Sequence, residues 1–358
     1  MSTIETVTCE RLSVPLHTPF VTALRRTTTT ETVVVRVTDA DGVTGWGEAP
    51  QVWQVTGESL AGAEACVSGP LRSVVVGADA DDLAPLCRSV AGAVARNFGA
   101  KAAVDVALHD LTARRRGISL PVLLGSTTHR VGTDVTLAAG DASALAGAAV
   151  ARVRDGFTVL KLKVGTDAVT DVARVRAARE AVGADVRLRL DANQGWTPGE
   201  AVRVIRALED AGAGVELVEQ PVRAEDLDGL AWVTARVNTP VMADEAVYDV
   251  HDLVEVIRRR AADMVNVKLA KCGGLSVART LLELARAHQL GTMVGSMMET
   301  HIGVGAAASL VAAYGTTTTA DLDAAWWAAD SPVVGGMSYD GATVVLPDAP
   351  GLGIEALA

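Results

Sequence analysis

The sequence predicts an α/β protein, a (β/α)-barrel of modified TIM type behind an N-terminal α+β capping domain. Three observations carry that prediction. The chain has 358 residues, room for a barrel of about 250 residues and an appendage. From about residue 130, eight short apolar runs end near Thr136, Lys163, Asp191, Glu219, Asp244, Lys268, Ser296 and Asp321, at spacings of 24 to 28 residues. That spacing is the length of one βα unit, and eight units close a barrel. Before residue 125, extended segments come first and helical ones after, the order of a separate α+β unit. The expected division is a cap over 1–125, a barrel over 126–330, and a segment over 331–358 that returns toward the cap.

Residues 4 to 50 read as strands. Thr32 to Val37 is β-branched, Asp41-Gly42 marks a turn, and Val43 to Glu48 runs back as a hairpin. Residues 57 to 116 are helical in pattern. The clearest helix spans Lys101 to Arg116, with Ala103, Ala107, Leu108 and Leu111 on one stripe and Gly117 as its stop. In the barrel region, Thr197-Pro198-Gly199-Glu200 and Asp249 to Asp252 are helix starts. The tail around Tyr339-Asp340-Gly341 reads as a short hairpin.

Hydrophobic residues make up 49% of the chain, which argues for a packed core rather than disorder. No apolar run reaches the roughly 18 residues a membrane helix needs, and the first residues lack the basic start and apolar core of a signal peptide. A cytoplasmic protein is the expectation. The net charge of −11 disfavours nucleic acid and anionic membranes as partners. Cys9, Cys66, Cys87 and Cys272 form no Cys-x-x-Cys pair and read as reduced packing residues. The six histidines stand alone.

Of 32 cationic residues only five are lysine, and four of those are Lys161, Lys163, Lys268 and Lys271. Arginine cannot give up its proton near neutral pH, whereas lysine can. The five central barrel strands each end in a charge: Lys163, Asp191, Glu219, Asp244 and Lys268. The C-terminal ends of barrel strands carry the active site. Asp191, Glu219 and Asp244 on consecutive strands would converge, and three crowded carboxylates call for a hard cation: Mg²⁺ first, with Mn²⁺ as the alternative. Asn193 and Glu245 are candidates to orient these ligands.

Lys163 and Lys268 fall on the second and sixth strands, opposite each other in a ring of eight. A substrate carboxylate on the metal would then place its α-carbon between two amines. One amine would act as base and the other as acid, each needing a lowered pKa. Lys161 shares the face of Lys163 by strand alternation and would help neutralise the bound carboxylate.

The chain resembles the enolase superfamily in its muconate-lactonising branch. The resemblance rests on Gly45-Trp46-Gly47-Glu48, Leu123-Leu124-Gly125, Lys161-Leu162-Lys163, Asp191-Ala192-Asn193, Glu219-Gln220-Pro221, Asp244-Glu245, Lys268-Leu269 and Gly351-Leu352-Gly353. It spans essentially the whole chain and implies a cap over the barrel mouth, with loops near residues 20 and 55 touching the substrate.

Within the branch, Asp321-Leu322-Asp323 resembles the Asp-x-Asp with which dipeptide epimerases hold a free ammonium, and Thr56-Gly57-Glu58 resembles their capping loop. The implied activity is Mg²⁺-dependent epimerisation of a dipeptide, of Ala-Glu or related type, at the α-carbon of its C-terminal residue. The lysine pair would transfer the proton through a metal-stabilised enolate. Thr136, Ser296, Met298 and Arg25 are the further substrate contacts expected, with Met297 beside them. Trp53, where a small residue is the rule, points to a bulkier or apolar dipeptide. A small-molecule dipeptide is the expected partner, and a homo-oligomer the expected assembly. The competing readings are an N-succinyl or N-acyl amino acid racemase, an o-succinylbenzoate synthase or cycloisomerase, and a non-catalytic binding barrel.

Overall fold

The computed structural model describes residues 2–21, 26–138 and 140–358. Strands β1 (Ile4–Val21), β2 (Arg26–Asp39) and β3 (Thr44–Pro50) form an antiparallel sheet in that order. Alternation along β2 serves two cores at once. Val33, Val35 and Val37 pack with the cap helices, and Val34 joins the larger cluster that contains the barrel.

The cap helices are α1 (Leu60–Cys66), α2 (Arg72–Val75), α3 (Leu83–Gly92) and α4 (Phe98–Arg115), with a π-turn over Val67–Leu71 between the first two. Helix α4 is buried from Gly99 to Ala113, so its Ala-rich sequence reflects contact on all sides rather than one stripe. Gly45 and Gly47 let β3 lie directly on its backbone. A Cβ at Gly47 would fall 2.0 Å from the Ala103 carbonyl oxygen, and one at Gly45 2.1 Å from that of Ala107.

After the short α5 (Leu120–Leu123) and β4 (Arg130–Gly132), seven parallel strands follow. They are β5 (Val135–Leu137), β6 (Val159–Lys163), β7 (Arg187–Asp191), β8 (Val215–Glu219), β9 (Val241–Ala243), β10 (Met264–Lys268) and β11 (Gly291–Gly295). They pair in sequence order. The eighth position is not a full strand. Ala320 bridges Thr133 and Asp321 bridges Gly295, so two isolated parallel bridges close the ring. Strand β9 stops at Ala243 and β11 at Gly295, one residue short of the ends expected at Asp244 and Ser296.

The helices between these strands are α6 (Ala142–Arg154), α7 (Ala168–Val182), α8 (Pro198–Asp210), α9 (Leu227–Thr234), α10 (Val250–Arg259), α11 (Leu269–Cys272), α12 (Leu275–Ala287) and α13 (His301–Tyr314). Both helix starts read from the sequence are capping boxes, Thr197 with Glu200 and Asp249 with Asp252.

The tail forms β12 (Val333–Gly335), β13 (Ser338–Asp340), β14 (Thr343–Val345) and β15 (Ile354–Leu357). Strand β14 pairs with β4, and the Leu352 amide donates to Asp110 Oδ1 on α4 at 2.6 Å. The cap also reaches the barrel through Glu48, whose Oε1 accepts from the Thr300 and Gly303 amides at 2.8 and 2.6 Å, at the start of α13.

Candidate active site

Five buried residues of β6 show how a strand builds half a site. Leu160 and Leu162 point to the helices, and Lys161 and Lys163 point into the ring. Register sets Lys163 beside Asp191, and Asp191 beside Glu219. Asp244 follows β9 directly, and Lys268 ends β10, four strands away from β6. Asp191, Glu219 and Asp244 are each at most 1% exposed. Lys163 Nζ donates to Asp191 Oδ2 at 2.5 Å, and Lys268 Nζ to Asp244 Oδ2 at 2.6 Å. Lys161 Nζ bonds Asp321 and lies 3.6 Å from Glu219 Oε2 and 3.9 Å from Asp191 Oδ2.

The electrostatics follow from burial against charge. Burial lowers Lys268, but Asp244 and Glu219 outweigh it and hold the ammonium above its ordinary value. Lys161 is raised in the same way by Asp321, Glu219 and Asp191. The two bases are expected to be lowered with a metal bound and Lys161 charged beside them. In the protein alone the carboxylates dominate and the direction at Lys268 is reversed, whereas a raised Lys161 agrees with its expected charge. Burial pushes Glu219 up to about 8, and pushes Glu245 up to about 7 with help from Asp244 and Asp191. Asp244 goes the other way, since Lys268 and Lys271 overcome its burial.

The donor set suits a hard cation. Glu219 Oε2 and Asn193 Oδ1 are buried without a hydrogen-bond partner, an arrangement that costs free energy unless something positive satisfies it. All candidate donors are oxygens, the chemistry of Mg²⁺ rather than of a softer metal. Asn193 donates its amide nitrogen to Glu245 Oε1 at 3.3 Å and its backbone N–H to Asp191 Oδ1 at 2.9 Å. Asn193 and Gln220 hold left-handed backbone, with φ of 41° and 33°, a conformation uncommon outside glycine. Both follow the carboxylates that end β7 and β8.

Three neighbours of the carboxylates had no role assigned from sequence. Asn266 donates to Glu219 Oε1 at 2.7 Å. Gln220 Oε1 accepts from the backbone of Asp244 and Ala246, fixing that turn. Lys271 is buried beneath Asp244. Strand alternation marks Asn266 as facing the same way as Lys268, and that is the signal that could have found it.

At the ring's seam, Asp321 and Asp323 come together with Asp134, their carboxylate oxygens lying within 4.8 Å of one another. Burial raises Asp323, with Asp321 adding to the effect, whereas Lys161 overcomes burial to lower Asp321. Asp323 Oδ2 accepts from the Thr136 amide at 2.7 Å and from Trp327 Nε1 at 2.9 Å. Asp134 was not singled out from the sequence. It stands two residues before Thr136, so alternation gives the pair one facing.

The cavity encloses about 610 Å³ of space, a figure that includes open solvent at its mouth. Thr136, Ser296, Met297 and Met298 line it, and so do Phe20 and Val55 of the cap, the regions expected to reach the substrate. Trp53 does not line it and is 57% exposed. Arg25 lies outside the described residues. Elsewhere, Cys87, Asp105 and His109 meet between cap helices. Burial drives the Cys87 thiol far up, and His109 Nδ1 is 2.7 Å from the Asp105 carbonyl oxygen; this group is a packing network. No helix of the described residues is long and apolar enough to cross a membrane.

The family model described as "Mandelate racemase / muconate lactonizing enzyme, N-terminal domain" matches residues 3–125, and "Enolase C-terminal domain-like" matches residues 144–357. The L-Ala-D/L-Glu epimerase of Bacillus subtilis (strain 168) is 42% identical over 96% of this chain and 94% of its own. A substrate-liganded structure of the Bacillus subtilis L-Ala-D/L-Glu epimerase superposes with a TM-score of 0.97 at 41% identity, covering 99% of both chains. The dipeptide epimerase of Enterococcus faecalis V583, solved with Mg and L-Leu-L-Tyr, gives a TM-score of 0.94 at 39% identity, again over 99% of both.

Proposed function

Because this chain belongs to the mandelate racemase/muconate lactonizing enzyme family of the enolase superfamily, we propose that it is a Mg²⁺-dependent dipeptide epimerase. The reaction would invert the α-carbon of the C-terminal residue. One observation carries this reading: three buried carboxylates sit between two lysines on strands four places apart in the ring, with a further acidic pair at the seam.

Asp191, Glu219 and Asp244 would hold the cation, with Asn193 and Glu245 steadying them. When bound, Mg²⁺ supplies positive charge that offsets the negative charge collecting on the substrate carboxylate as its α-proton leaves. The lysines do the proton work. With the α-carbon between them, Lys163 Nζ would take the proton from one face and Lys268 Nζ return one to the other, or the reverse for the opposite epimer. Lys161, charged and paired with Asp321, would face the substrate carboxylate. Asp321 and Asp323 would receive the free ammonium of the dipeptide, since acids crowded together attract a cation. Thr136 and Ser296 would position the peptide, and Met298 with Phe20 would exclude water from the reacting carbon.

The test is incubation with Mg²⁺ and a panel of L,L-dipeptides in D₂O, followed by NMR. Loss of the α-proton of the C-terminal residue with formation of the second epimer is expected. Exchange with N-succinyl amino acids alone would replace this reading by the racemase one.

A further inference from the structure

Lys271 is the one lysine of the barrel mouth that does not line the cavity, and it is 1% exposed. An ammonium carries three N–H donors, and here three backbone carbonyls take them. Asp244 O accepts from it, as do Val247 O at 3.1 Å and Asn266 O at 3.2 Å. Nζ also lies 2.5 Å from Asp244 Oδ1. With its protons committed to carbonyls, that last contact is an attraction of charges. The position is fixed from below as well. Lys271 sits on the single turn α11, which ends in Gly273 and Gly274 at φ of 95° and 112°, where a Cβ on Gly274 would strike the Asp105 side chain at 2.5 Å. Asp244 O would keep the Val247 amide at 3.1 Å, but Val247 O and Asn266 O would each lose a donor if Lys271 withdrew, which holds this cation in place.

Asp244 is therefore divided between two lysines of different kinds. Oδ1 faces the immobile Lys271, and Oδ2 faces Lys268. Resting on the metal assignment given above, we propose that Lys271 determines metal selectivity. By engaging Oδ1 it leaves Asp244 only Oδ2 for the ion, the oxygen that Lys268 must release as the ion binds. A carboxylate that can offer only one oxygen suits Mg²⁺, which demands near-octahedral geometry, and disfavours Ca²⁺, which accepts bidentate carboxylates and a larger ligand count. Lys271 is a positioning residue in this role, with no contact to substrate.

The test compares Mg²⁺ and Ca²⁺ affinities by calorimetry, without substrate, in the unaltered protein and in Lys271→Met. Both ions carry the same charge, so the lost ammonium cancels in the ratio, whereas general loosening would also favour Ca²⁺; the number of Asp244 oxygens on Mg²⁺ in a crystal structure separates the two. A shift of at least fivefold toward Ca²⁺ is expected, and a smaller shift overturns the proposal. Should Lys271→Met fail to fold, a crystal structure of the unaltered protein with Mg²⁺ decides. Asp244 must bind the ion through one oxygen while Oδ1 stays on Lys271; a bidentate Asp244 ends the proposal. An unaltered protein that binds neither ion removes the metal centre and this proposal together. An unchanged ratio beside intact dipeptide exchange removes the role of Lys271 alone.

Discussion

At the scale of single residues, chemistry and recognition predict different failures. Lys163→Ala and Lys268→Ala should each cut epimerisation by about 10²- to 10⁴-fold, measured by NMR on a purified dipeptide. Asp321→Asn should raise KM for the dipeptide by about 10- to 100-fold, the worth of a charged hydrogen bond, and leave Mg²⁺ affinity nearly unchanged in calorimetry. Glu219 predicts a pH dependence of ion uptake. Its carboxyl, raised by burial to about 8, is largely protonated at pH 7 before the ion binds. Mg²⁺ must displace that proton, so affinity should climb about tenfold per pH unit up to about pH 8 and then level. Equal affinities at pH 6.5 and 8 would count against Glu219 as a ligand. The three carboxylates of the proposed ion site and the two bases were legible because each ends, or directly follows, a strand at a repeating interval. Asn266, Gln220 and Asp134 were not, since a neutral amide or a single acid within an apolar run carries no interval of its own. Lys271 stood out by residue type, yet its task depends on which carbonyls fold around it.

At the scale of elements, close approach governs stability. Gly47→Ala should destabilise the protein by about 1–3 kcal/mol or more, because β3 would have to lift off the α4 backbone; thermal unfolding reads this directly. Thr197→Ala, which opens a capping box on α8, should cost about 1 kcal/mol and leave catalysis intact. The capping boxes and the long cap helix were readable because their signals are local. The eighth strand was legible only as a position. Two bridges hold Ala320 and Asp321 in the ring, and no local sequence signal separates that from a full ladder. Strand β2 runs from Arg26, inside the extended region read over 4 to 50 but ahead of its β-branched Thr32–Val37 run, and its polar first half is held by pairing with β1.

At the scale of the whole molecule, the contact of cap and barrel is a titrating one. Glu299, on the turn after β11, is pushed up to about 8, first by burial and then by Glu48 of the cap. A Cβ at Gly303 would fall 2.2 Å from Glu299 Oε2 and 2.8 Å from Glu48 Oε1, so the two acids share one small space. A raised acid is protonated in the folded chain and ionised in the unfolded chain between pH 4.5 and 8. Its contribution is therefore whole below pH 4.5 and lost as pH rises through 8, at up to about 1.4 kcal/mol per pH unit for a full proton. Glu299→Gln should flatten the fall in melting temperature between pH 5 and 8. The stitched closure of the ring has its own consequence. The proposed ion ligands and bases stand on or directly after strands laddered on both sides, whereas Asp321 stands in a seam of two bridges and Asp323 just beyond it. Evolution can thus retailor the seam for a new amine-bearing molecule while the proton-moving machinery keeps its alignment, and amide hydrogen exchange should find that seam opening sooner than β6 or β7.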